Sequence, residues 1–175
     1  MILKKIKTFE EALTALEYSE SNKEYIKNTI NDFSMYSRAS AAMCKLSIIR
    51  KALNLGKELH LTGNLNVYYP YNPFMTENST NFEKQINSGK MEIIGKIKSE
   101  GILYNVLSSF ICGYGTKGLG CFYYTDGVGT AGTDFGFLGC ASKEIVKHFS
   151  KYFGMLITEA KFGDLPDFEI IESKY

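Results

Sequence analysis

The sequence predicts an α+β protein: N-terminal helices and one C-terminal helix packed on a Gly- and aromatic-rich antiparallel sheet. Three observations carry this expectation. Apolar residues recur three or four apart over residues 1–56 and again over 142–160, the period of an amphipathic helix. Residues 57–141 instead hold short apolar and aromatic runs punctuated by glycine, the pattern of strands and turns. The chain has 175 residues, 45% hydrophobic, with 12 Tyr and 12 Phe, which suits one domain with a substantial core. The expected organisation is a single domain over 1–175, divided into a helical part (1–56), a sheet part (57–141), a C-terminal helix (142–160) and a tail (161–175).

Each element has a local reason. Thr8-Phe9-Glu10-Glu11 reads as a capping box, and the helix it opens carries Leu13 and Leu16 and ends near Tyr18 to Ser21. Ser21 caps a second helix through Tyr25, Ile26 and Ile30, with a break at Asn31 to Ser34. A third helix spans Met35 to Leu55, its stripe made of Met43, Leu46, Ile49 and Leu53 and widened by Cys44 and Ile48; Gly56 is its stop. Leu65 to Pro70 is a short strand, Tyr71-Asn72-Pro73-Phe74 a rigid aromatic turn, and Thr76 to Ser88 a polar loop. Met91 to Ile97 and Ile102 to Leu107, extending toward Cys112, are strand-like, and Asp126-Gly127 signals a hairpin. Ser142 caps the last helix, which presents Ile145, Val146, Phe149, Phe153, Leu156 and Ile157 on one side and Lys143, Lys147 and Lys151 on the other. The tail is acidic and loose, with Phe168, Ile170 and Ile171 able to form an edge strand.

Two copies of G-x-G-x-x-G, Gly113 to Gly118 and Gly127 to Gly132, raise the question of a nucleotide cradle. In a dinucleotide fold the last glycine opens a helix whose N-terminus faces the pyrophosphate. Here the first copy runs into Leu119 to Tyr124 and the second into Thr133 to Leu138, both without helical period. Lys117 is followed by Gly118, so neither copy is a P-loop. The glycines read first as turns and close-packing positions of a sheet.

Composition excludes several classes. A net charge of +1 gives no electrostatic case for nucleic acid, and of the 20 basic residues only Arg38 and Arg50 are arginine, so no sequence-specific DNA binding is expected. No apolar run reaches membrane-spanning length and the first residues lack the apolar core of a signal peptide, which predicts no membrane association and a cytoplasmic location. Cys44, Cys112, Cys121 and Cys140 form no C-x-x-C pair, and with His60 and His148 they lack metal-site spacing. No metal, cofactor or catalytic residue is assigned.

Lys45 to Gly56, followed by Tyr68-Tyr69-Pro70-Tyr71, resembles a pattern in small uncharacterised phage and prophage accessory proteins of gut anaerobes. These open with a T-F-E-E-A helix, matched by Thr8 to Ala12, and close with a helix of the kind seen at Ala141 to Phe153. The chain departs from them in lacking tryptophan and in an Asn-rich loop at 75–88. The resemblance carries no catalytic residues. It implies a phage or mobile-element counter-defence protein that acts in the host cytoplasm by binding.

The leading expectation is sequestration of a nucleotide-derived immune signal. Stacking aromatics and glycine-rich N–H nests would form the pocket, with Tyr114, Thr116, Lys117, Tyr124, Thr130 and Asp134 as candidate ligand-binding residues. The second is inhibition of a host defence protein, such as a CRISPR nuclease, through an exposed aromatic surface. The third is an enzyme using Cys140 or the Asp126–Asp134 pair, and the fourth a minor virion component. Homo-oligomerisation stays open.

Overall fold

The computed structural model describes residues 5–55, 66–89, 91–114, 129–131 and 138–175, with Asn66, Val67, 110–114 and 129–131 described as backbone. The expected α+β architecture is present. Helices α1 (Phe9–Ala15), α2 (Glu20–Ser34) and α3 (Arg38–Leu53) precede β1 (Asn66–Met75). Then come α4 (Phe82–Asn87), β2 (Glu92–Ser99), β3 (Ile102–Tyr114), β4 (Gly129–Ala131), α5 (Lys143–Phe162) and β5 (Glu169–Ser173). The strands form one sheet in the order β4-β1-β3-β2-β5, and every pairing is antiparallel.

Caps explain where the helices begin. Thr8 and Glu11 form the reciprocal capping box expected of them. The second helix is capped by Ser19, whose hydroxyl accepts from the Asn22 N–H, and not by Ser21. Glu17, at φ 56°, turns the chain sharply enough for α2 to begin two residues early. α2 then runs through Asn31 to Ser34 without the expected break, and the chain turns at Met35 to Ser37. Ser37 accepts from the Ser40 N–H and opens α3 three residues later than its apolar pattern suggested. Asn54 is the C-cap of α3; Gly56 lies outside the described residues.

The sheet half needs three corrections. Tyr71 to Phe74 is not a turn: β1 continues through both prolines to Met75. The polar stretch after it contains the short helix α4. The tail is not loose, because β5 pairs with β2, with Ile170 opposite Ile97. The expected Asp126-Gly127 hairpin lies outside the described residues.

Helix α5 sits between two layers. One side packs Ile145, Val146, Phe149, Phe153 and Ile157 against α1 and α3, in a core that includes Ala12, Leu46, Ile49 and Leu53. Each such buried side chain contributes about 1.5–3 kcal/mol. The other side comes closest to the sheet at the small buried residues Ser150 and Gly154, while Met155 packs with Phe74, Ile94, Ile97 and Val106. A Cβ on Gly154 would lie 2.4 Å from Asn72 Nδ2 and from Ile94 Cδ1, so the helix backbone comes as close to the sheet as packing allows.

A polar joint fixes this approach. The register that pairs Tyr71 with Ser109 and Phe74 with Val106 sets Pro73 opposite Leu107. Proline has no N–H, so the Leu107 carbonyl loses its ladder donor. The Asn72 side chain supplies one, Nδ2 to Leu107 O at 3.0 Å. The same amide donates to the Ser150 carbonyl and hydroxyl, at 3.2 and 3.1 Å. The Ser150 hydroxyl in turn accepts the Ser109 N–H at 2.9 Å and points to the Tyr71 carbonyl at 3.5 Å. A helix side chain is thus inserted between two neighbouring strands.

Candidate functional site

The six residues expected to bind a ligand fall mostly outside the description. Thr116, Lys117, Tyr124 and Asp134 lie outside the described residues, and of Tyr114 and Thr130 only the backbone is described. Tyr114 ends β3 opposite Asn66, and Thr130 sits in β4 opposite Asn72. They flank β1 on opposite sides, six register positions apart, about 20 Å along the strand at about 3.3 Å per residue. A ligand touching both backbones would have to span that separation.

A cavity of about 220 Å³ opens elsewhere, where the start of β2 and the middle of β3 meet α5. Glu92, Ser108, Ser109, Lys147, Ser150 and Lys151 line it, with Gly89 and Met91 at its edge. The antiparallel register sets Glu92 beside Ser108. The helical repeat sets Lys147 and Lys151 one turn apart on the same face of α5. The Ser150 hydroxyl, engaged in the helix–sheet joint, forms part of the wall.

Glu92 is the electrostatic centre of this rim. Its carboxylate accepts from Lys151 Nζ at 2.7 Å, Lys174 Nζ at 2.5 Å and the Tyr175 hydroxyl at 2.6 Å. Burial opposes its ionisation, but the bonds from Lys151, Lys174 and Tyr175 outweigh burial and bring the carboxyl down to about 2. Lys151 is correspondingly raised, first by its bond to Glu92. The cluster joins β2, α5 and the residues after β5, and Tyr175 also stacks edge-on against Tyr152 at 4.9 Å.

The residues considered for chemistry are structurally engaged where they are described. Cys140 is 0% exposed, its Sγ–H directed at the Leu138 carbonyl at 3.6 Å. Burial pushes the thiol up to about 12, the environment of a core group and not of a nucleophile. His148 donates from Nε2 to the Ile6 carbonyl at 2.5 Å and stacks on Tyr152 at 4.5 Å. It fastens the segment before α1 to α5, and burial lowers its pKa despite the Ile6 bond. Asp126, Asp134 and His60 lie outside the described residues. Among the described residues, no group of three or more His, Cys, Asp or Glu could hold a metal ion. Among them, too, no helix is long and apolar enough to cross a membrane.

No family model matches the chain, and no curated protein or solved structure matches it.

A second feature is the turn between α2 and α3. Phe33, Met35 and Tyr36 are 47%, 80% and 89% exposed. The turn is held from below. Asp164, just after α5, accepts from the Ser37 hydroxyl at 2.5 Å and from the Ala39 N–H at 3.1 Å. The Ser37 hydroxyl, followed by that backbone N–H, holds the Asp164 carboxyl below the usual range. Beside it Arg38 Nη2 pairs with Glu159 at 3.0 Å. Leu165, next to Asp164, is also half exposed.

Sequence reasoning missed both features. Met35 and Tyr36 look like the start of an apolar helix stripe until the Ser37 cap excludes them. Glu92, Lys174 and Tyr175 are ordinary residues in sequence, brought together only by the β2–β5 pairing.

Proposed function

We propose that this protein acts by binding a protein partner, through the aromatic turn that joins α2 to α3. The observation that carries this reading is the exposure of Phe33 at the end of α2 and of Met35 and Tyr36 on the following turn, which Asp164 braces. Burying them inward would satisfy the hydrophobic effect within the chain, yet the fold holds them outward. Aromatic and Met side chains on a pre-organised support suit the anchors of a protein interface, because little entropy is lost when they dock. The partner expected is a protein with an apolar pocket able to take an aromatic side chain. The resemblance to phage accessory proteins supports a counter-defence setting, in which the partner is a host defence effector.

The test is photocrosslinking from position 36 in extract of the source cells. Wild-type surroundings of the probe are compared with Met35→Asp, whose melting temperature should match the parent because the site is exposed. One partner, captured by the parent and lost in Met35→Asp, supports the proposal. Equal capture by both proteins overturns it. Sedimentation as a dimer that Met35→Asp dissociates also overturns it, since the turn would then cover a second copy of the chain.

Sequestration of a nucleotide-derived signal by the glycine-rich segments is the other reading carried from the sequence. A panel of cyclic nucleotides and ADP-ribose derivatives addresses it, because a ligand that binds only the native state raises the melting temperature progressively with its concentration relative to Kd.

A further inference from the structure

We propose that α2 is a detachable strap: it swings off α3 as one unit while the rest of the fold stays in place, and so bares a second apolar face of α3. The inference goes beyond the partner reading and does not rest on it.

The grip of α2 is thin. Of its 15 residues only Ile30 is buried, against 10 of 20 in α5. Ile26 is half-buried one turn earlier, while Tyr25 and Phe33 are 73% and 47% exposed. Among the described residues, its side-chain hydrogen bonds all close within Ser19 to Ser34. Lys23 donates to Glu20, Thr29 to the Tyr25 carbonyl and Ser34 to the Asn31 carbonyl. The brace from Asp164 ends at Ser37 and Ala39, and Arg38 pairs with Glu159, so α3 is held and α2 is not. Few buried apolar contacts and no polar tie mark a segment that opens on its own.

The face beneath is distinct from the main core. Ala42, Leu46, Ile49 and Leu53 of α3 belong to that core. Ala41, Cys44 and Ile48, spaced three and four apart, form a stripe on another side of the helix. Ala41 is 4% exposed although it stands outside the core cluster, and α2 packs along α3 there. The two helices run antiparallel from their turn, since Lys51 near the end of α3 reaches the Tyr18 ring just before α2, at 5.9 Å. With the same rise on both sides of the turn, Ile30 stands level with Ala41, Lys27 with Cys44 and Lys23 with Ile48. Beyond Ile26 the cover is lysine stem, which seals less well than a branched apolar side chain. Both ends of α2 can turn: Glu17 takes φ 56° before it, and Met35 to Ser37 form the bend after it. Opening adds Ala41, Cys44 and Ile48 to the apolar surface that Met35 and Tyr36 present.

The test is hydrogen–deuterium exchange of the full chain, read by peptide mass across low denaturant. The α2 amides should exchange together, with protection at least about a hundredfold below that of α5 and little dependence on denaturant. Ile30→Ala should speed the α2 set at least about tenfold. Ile49→Val, in the main core, should speed α5 and leave α2 unchanged, because the opened form keeps that core. A thiol placed under α2 by Ala41→Cys should react with iodoacetamide at the rate of α2 opening, and Cys140 only on global unfolding. If α2 of Ile30→Ala shows no protection while α5 keeps its own, the strap is already off and the inference stands. Exchange of α2 only together with α5, a thiol at position 41 that waits for Cys140, or an Ile30→Ala variant that unfolds as a whole overturns it.

Discussion

Asn72 is 0% exposed and does the work of a missing backbone N–H. Its amide nitrogen replaces the donor that Pro73 lacks, while its Oδ1 has no hydrogen-bond partner among the described residues. Asn72→Ala should therefore leave the Leu107 carbonyl without its donor and cost about 2–3 kcal/mol in urea denaturation. In a Pro73→Val background the ladder N–H returns, so the same Asn72→Ala change should cost clearly less. Equal penalties in the two backgrounds would mean that Asn72 acts only by filling space. None of this is visible in sequence as a site. Asn-Pro reads as a turn signal, and the residues that make it a strand are remote: Leu107 on β3 and Ser150 on α5.

At the scale of elements, the existence of the four longer helices was legible because their signals are local, whereas α4 lies in a stretch that reads as a polar loop. The Thr8 capping box, the Ser142 cap and the apolar period of α5 all lie within one segment. The close approach of α5 to the sheet was not legible, because Ser150 and Gly154 carry no hydrophobic pattern. Small size is what the sheet demands of them. β5 was legible only as an option, since its short run of Phe168, Ile170 and Ile171 becomes a strand through pairing with β2. The β2–β3 hairpin, by contrast, carries a local signal in Glu100-Gly101. Ser99 pairs with Ile102, and the two loop residues have φ of 51° and 78°, as a type I′ turn requires. Glutamate is strained there, whereas asparagine tolerates that region. Glu100→Asn should stabilise the protein by about 0.5–1 kcal/mol, read as a higher melting temperature.

At the scale of the whole molecule, Glu92 ties together segments that are far apart in sequence. Its carboxyl is held at about 2, against 4.5 for an unperturbed glutamate. A carboxyl lowered in the folded state contributes stability that is complete above the unfolded value and is lost as pH falls. The loss should run from about 4.5 down toward about 2. Glu92→Gln should lower stability by about 1 kcal/mol at neutral pH, because solvent screens a partly exposed network. The difference from the parent should vanish near the acid end of that window. A difference that stays constant with pH would assign the effect to packing. The candidate site has the same origin. Lys147, Ser108 and Glu92 are unremarkable apart, and the topology alone assembles them, whereas the glycine-rich motifs that stand out in sequence fall mostly beyond the described residues.

The serine hydroxyl set between β1 and β3 also governs how the molecule opens. The Ser109 N–H belongs to a strand, yet its acceptor belongs to a helix. Its exchange with solvent deuterium should follow the detachment of α5 and not the fraying of the sheet edge. Neighbouring strand amides that donate to backbone carbonyls would report the sheet itself. Ser109 is thus a reporter in one layer for the fluctuations of another, and the two layers cannot separate without a break in the ladder between them.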